Sequence, residues 1–124
     1  MSQLHPFLRG YRRGLRDVQR AVLLYRKTAC APSSALSALS VAADCISIPL
    51  RRLRETGVAA LPEQAREQMI VVSGRQLIYS KGYEVGFDDG REIVVGRGRQ
   101  MNDPDARKAV TDAATNLRQL GSLD

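Results

Sequence analysis

Four arginines, Arg9, Arg13, Arg16 and Arg20, recur at three- and four-residue steps near the start of the chain. On a helix they line one face with no acid between them. The guanidinium is a planar fork of donors that fits phosphate and carboxylate oxygens, whereas lysine offers a point charge. A routine solvated helix face mixes signs, because opposite charges at i, i+4 stabilise it, and aligned like charges cost a few tenths of a kcal/mol per pair. An anionic partner would offset that cost. Each arginine seated on a phosphate also releases a counterion, which makes binding salt-dependent. Arg12 flanks the stripe and Lys27 extends it. The bland alternative is a soluble amphipathic helix. A membrane-surface helix is a third, but the apolar face lacks Trp and serves better as core.

Two further basic groups join the list. The segment Val41 to Gly57 has an Ala-rich stretch, Ser47 at a candidate turn, and then Arg51, Arg52 and Arg54. These are the ingredients of a helix-turn-helix, but Cys45 stands where the turn glycine is usual and the second helix would be short. The alternative is one core helix kinked at Pro49 with its arginines in water. Gly96-Arg97-Gly98-Arg99 has a phosphate-turn flavour. It lacks the third glycine of the dinucleotide fingerprint, so it reads as a strand-to-helix linker whose Arg97 and Arg99 touch a polyanion.

A catalytic constellation is not legible. The only histidine is His5, beside the N-terminus. No Ser-His or Cys-His system and no zinc set can be assembled from it. Cys30 and Cys45 are too few for a disulfide scaffold and are expected as small buried residues in a reducing compartment. Glu84, Asp88, Asp89 and Glu92 form the one acidic cluster. It reads as a solvated hairpin tip rather than a divalent-metal site, since Asp-Gly is itself a hairpin-turn choice. The expectation is therefore no enzyme, no cofactor, no metal and no small-molecule substrate.

The charge distribution points to the partner's sign. The 124 residues carry a net charge of +6. Residues 1–62 hold ten basic and three acidic side chains, and residues 63–124 hold nine and ten. Sixteen of the nineteen basic residues are arginine, a ratio that GC-rich coding also favours. A one-sided basic surface attracts nucleic acid, an acidic protein face or anionic lipid. Wholly apolar runs are only a few residues long, so no membrane span is expected. The arginines near the N-terminus leave no apolar stretch for a signal peptide, which favours the cytoplasm.

The elements that must position these residues follow from periodicity. Leu8, Tyr11, Leu15, Val18, Val22 and Tyr25 fall at helical steps over Phe7 to Thr28, and cover an arc of roughly 100°. The arginines cover a second arc on nearly the opposite side. Pro6 suits a first helical turn, and Ser33 or Ser34 is a fair cap for the next helix. Leu36, Leu39, Ala43, Ile46, Leu50 and Leu53 continue at helical steps, through Pro49, to a stop at Gly57. Leu61-Pro62-Glu63 starts a short helical turn. Then the period changes to two. Met69 to Val72, Gln76 to Ser80, Tyr83 to Phe87 and Glu92 to Gly96 read as strands, because Gly-containing separators lie between them. Asn102-Asp103-Pro104 caps a last helix, with Ala106, Ala109, Val110, Ala113, Leu117 and Leu120 inward and Gly121 as its stop. The chain is read as non-repetitive.

The expected fold is a single α+β domain over residues 1–124: a helical hairpin and turn (6–67), an antiparallel meander of three or four strands (68–96), and a C-terminal helix (103–120). The expected function is a small nucleic-acid-binding regulator or accessory subunit. The alternative is a protein-binding inhibitor or adaptor whose basic face covers an acidic surface. A homodimer through the first two helices is a further expectation, since cyclic dimers are the commonest oligomers. Aromatics are only 5%. That speaks against a base-stacking platform for single strands, for which Tyr79 and Tyr83, expected on the sheet, are the only candidates.

Overall fold

The first helix forms where the periodicity places it. In the computed structural model, which describes residues 5–71 and 75–117, α1 spans Pro6–Thr28. Pro6 fills its first turn, and the His5 ring accepts a hydrogen bond from the Phe7 amide at 3.1 Å. That bond satisfies one of the amides that a helix start leaves without a partner. Leu8, Tyr11, Leu15, Val18 and Val22 are buried, and Arg9, Arg13, Arg16 and Arg20 face water.

The second helix, α2, runs unbroken over Ser33–Thr56 with Pro49 inside it. There is no turn at Ser47, so Val41 to Gly57 is not a helix-turn-helix. Pro49 leaves the Cys45 carbonyl without its usual donor. Burial of Ile46 before it and Leu53 after it holds the helix together. Pro32 occupies the cap position without a side-chain bond, and neither Ser33 nor Ser34 acts as the cap. Gly57 ends α2 at φ 63°, ψ −135°, and its amide bonds the Leu53 carbonyl. That conformation is essentially reserved for glycine. A short 3-10 turn, Gly57–Ala60, leads into α3, Glu63–Val71, which buries only Ala65. With its 3-10 extension, α2 is long and apolar enough to cross a bilayer by length and composition. The short apolar runs had argued against any such segment. In this fold its apolar face packs on other helices, and about a third of the apolar window is buried.

The expected β-meander is overturned. Residues 75–99 form one helix, α4 (Arg75–Arg99), and the described residues contain no strand. Tyr83, Val85 and Phe87 do not share a sheet face with Ile93 and Val95 opposite. A helix, α5, follows over Pro104–Thr115. Asp103 caps it by accepting from the Asp105 amide, as its sequence suggests. The inward set Ala106, Ala109, Val110, Ala113 and Leu117 is buried. Leu120 and Gly121 lie outside the described residues. The architecture is all-α, with five helices among the described residues.

Glycine explains the misreading. Gly82, Gly86 and Gly90 recur every four residues, so they share one face of α4 rather than marking hairpin turns. Interior glycines weaken a helix by about 1 kcal/mol each relative to alanine. Here they permit the largest contact in the molecule, between α1 and α4. A Cβ on Gly82 would strike the Phe7 carbonyl, one on Gly86 the Tyr11 carbonyl, one on Gly10 the Tyr79 carbonyl, and one on Gly14 the Tyr83 carbonyl. Residue numbers rise together on both helices, so α1 and α4 are parallel. Their backbones touch, which small-xxx-small spacing allows.

The chain is in fact a tandem repeat. Gly10-Tyr11-x-x-Gly14-Leu15-x-Asp17 returns as Gly82-Tyr83-x-x-Gly86-Phe87-x-Asp89. Ala35-x-x-Ala38-Leu39-x-x-Ala42-Ala43-x-x-Ile46 returns as Ala106-x-x-Ala109-Val110-x-x-Ala113-Ala114-x-x-Leu117. Each half is thus a helical hairpin, α1–α2 and α4–α5, and the equivalent contacts across α1 and α4 are reciprocal. The Tyr11 hydroxyl donates to Asp89 Oδ2 and the Tyr83 hydroxyl donates to Asp17 Oδ2, each at 2.6 Å. The halves share one apolar core that includes Leu15, Val18, Leu39, Ile46, Val94 and Val110.

Candidate functional site

The hairpin α1–α2 brings two arginine groups together that lie about forty residues apart in sequence. Gln19 fixes their register: its Nε2 donates to the Ala43 carbonyl at 2.9 Å and to Ser47 Oγ at 2.8 Å. Ser47 is therefore a packing partner of α1 rather than a turn residue. One to two turns earlier on α1 and one to two turns later on α2, Arg12 and Arg16 line a common cleft with Arg51 and Arg54.

Two clefts result, joined through shared residues. The first, about 210 Å³, is lined by Arg9, Arg12, Arg13, Arg16 and Tyr79. The second, about 240 Å³, is lined by Arg12, Arg16, Ser47, Leu50, Arg51 and Arg54. Among the described residues no carboxylate lines either one. Arg13 pairs with Asp17 at 3.2 Å.

Arg12 is central. It lines both clefts, and its Nε is buried without a hydrogen-bond partner. Burial, then the charges of Arg16 and Arg54, hold its guanidinium below the usual arginine value. It remains a cation, since arginine does not lose its proton in proteins. A buried donor without a partner costs about 1–3 kcal/mol. An anion seated between Arg12, Arg16 and Arg54 would remove both penalties at once.

The other candidate residues lie apart from these clefts. Arg20 is exposed further along α1, and Lys27 stands in its last turn. Arg52 is exposed on α2 but does not line either cleft. Arg97 and Arg99 do not sit on a linker loop. They occupy the last turn of α4, where cations favour the helix dipole, and Arg97 donates to Gln100 at 3.2 Å.

The acidic cluster is likewise rearranged. Glu84, Asp88 and Glu92 lie at four-residue steps on exposed α4 rather than on a hairpin tip. Asp89 turns inward to Tyr11, and burial holds its carboxyl above the ordinary value. No group of three metal-binding side chains is assembled among the described residues. Both cysteines are free thiols. Cys30 is exposed between α1 and α2, contrary to its expected burial. It borders a separate cleft of about 340 Å³ with Lys108, Asp105 and Asp112, where the charges are mixed.

The repeat supplies an internal control. Where the first half has Arg12, Arg13, Arg16 and Arg20, the second has Glu84, Val85, Asp88 and Glu92 in the same packing frame. The frame therefore folds without arginine at these positions. The duplicated Gly-Tyr-x-x-Gly-x-x-Asp pattern was the sequence signal that could have revealed both the frame and this contrast. No family model matches the chain, and no curated protein or solved structure matches it either.

Proposed function

We propose that this protein is a small non-enzymatic nucleic-acid-binding regulator or accessory subunit. Its double cleft holds the phosphate backbone on Arg9, Arg12, Arg13, Arg16, Arg51 and Arg54. The observation that carries the reading is Arg12, a half-buried cation whose Nε is buried without a partner where two clefts join, both free of carboxylates among the described residues. Phosphate supplies the missing charge and acceptors together.

The test is binding of the purified protein to duplex DNA, single-stranded DNA and RNA at about 50 and 200 mM salt, a range over which several phosphate contacts cost orders of magnitude in affinity. Arg12→Gln with Arg16→Gln is expected to weaken binding to every probe. The log–log salt slope should become shallower by about 0.7–0.9 for each lost contact. Unchanged affinity in the double variant, or no binding to any probe at low salt, would overturn the proposal.

A second reading has its own observation. Ile70, Val71 and Leu77 are 79, 78 and 65% exposed near the α3–α4 junction. Exposed apolar side chains suit a protein partner better than phosphate. In that reading the arginines cover an acidic surface of a larger complex, and binding falls less steeply with salt. A homodimer is a related proposal, tested by sedimentation over a range of concentrations.

A further inference from the structure

We infer that the double cleft takes a single nucleic-acid strand rather than a duplex, with Tyr79 as a stacking platform for a base at its α4 end. The inference rests on the polyanion reading above and names the substrate class of that site.

The two clefts are shallow and open to solvent. Arg12 and Arg16 are shared between two clefts that run in series between α1, α2 and the start of α4. A duplex presents paired backbones around a stiff cylinder, and readers of its major groove bring a protruding helix or ribbon. Here the cations line recesses. A single strand can lay successive phosphates along such a recess and turn its bases onto an aromatic ring. Leu50 adds an apolar wall to the second cleft.

Tyr79 departs from the repeat in the way such a role requires. Its counterpart in the first half is Phe7, which is 0% exposed and belongs to the core. Tyr79 occupies the equivalent position on α4, yet it is 38% exposed and lines the cleft with four arginines. The Gly10 contact involves its backbone carbonyl, not its ring. Every base has a π-face, so a single ring gives affinity without strong sequence preference.

The experiment compares a labelled single-stranded 20-mer, as DNA and as RNA, with its duplex, using the full chain and the Tyr79→Phe and Tyr79→Ala variants. Circular dichroism confirms the fold of each variant. The expected result is tighter binding to a single strand than to the duplex. Tyr79→Ala should lose about ten-fold on the single strand, within the range measured for removing one stacked base, with Tyr79→Phe close to the parent. Duplex binding as tight as single-strand binding overturns this inference and leaves the polyanion reading standing. So does a single-strand affinity that Tyr79→Ala leaves unchanged. Failure to bind any of the three probes at low salt overturns the polyanion reading itself, and this inference with it.

Discussion

Gly86→Ala is expected to destabilise the protein, whereas Gly96→Ala on the same helix is expected to stabilise it. Helix propensity favours alanine at both sites by about 1 kcal/mol. At Gly96 nothing lies within 4 Å of an added Cβ, so that gain is realised. At Gly86 the Cβ would sit 2.8 Å from both the carbonyl carbon and the Cα of Tyr11, and closer still to the carbonyl oxygen. Backbone atoms cannot rotate aside, so α1 and α4 must separate. Overpacking of this kind costs about 1–3 kcal/mol, occasionally more. Separation also stretches the two Tyr–Asp bonds, each 2.6 Å long. Hydrogen bonds to charged groups contribute about 1.5–3 kcal/mol each. The net loss should exceed about 2 kcal/mol even after the propensity gain. For a domain of this size, at about 4 °C per kcal/mol, that lowers Tm by about 8 °C or more, while Gly96→Ala raises it by about 4 °C. Thermal and urea unfolding followed by circular dichroism measure both. A Gly86→Ala Tm at or above the parent's would refute the close parallel contact.

Three further outcomes follow from the same structure. Gly57→Ala should cost about 1–3 kcal/mol through backbone strain alone, because its φ is 63° and an added Cβ meets nothing within 4 Å; an unchanged urea midpoint would contradict that conformation. Burial, then the bond to Asp17, pushes the Tyr83 phenol from 10.0 up to about 12, and burial and Asp89 raise Tyr11 in the same direction. The unfolded chain loses these protons first, so this contribution is intact below about pH 10 and is lost as pH rises toward 12. Tyr11→Phe with Tyr83→Phe should flatten the decline in urea midpoint above pH 10, and an equally steep decline would refute the assignment. Arg13→Ala with Arg16→Ala should keep the fold, because both side chains are exposed and the Arg13–Asp17 pair is a surface i, i+4 contact worth only a few tenths of a kcal/mol. A loss of helical signal at 25 °C would show that the arginines serve packing instead.

What the sequence determined by itself was the local pattern of helices that keep one apolar face. The three-four spacing of Leu8 to Val22 and of Leu39 to Leu53 specified burial, because side chains three and four apart point the same way on a helix. His5-Pro6 and Asp103-Pro104 marked starts, and Gly57 a stop, because each acts on its own backbone. The arginine stripe on α1 was legible for the same reason. The state of residues 75–99 was decided by tertiary structure. Glycine and β-branched residues there lower local helix preference, and their period resembles strands and turns. The same glycines stabilise a helix only when another backbone arrives against them, as Phe7 and Tyr11 do. The double cleft was decided in the same way. Arg12 and Arg54 lie far apart along the chain, and the α1–α2 register set by Gln19 brings them together. Periodicity reports which face of an element is buried; which elements meet depends on packing between residues distant in sequence.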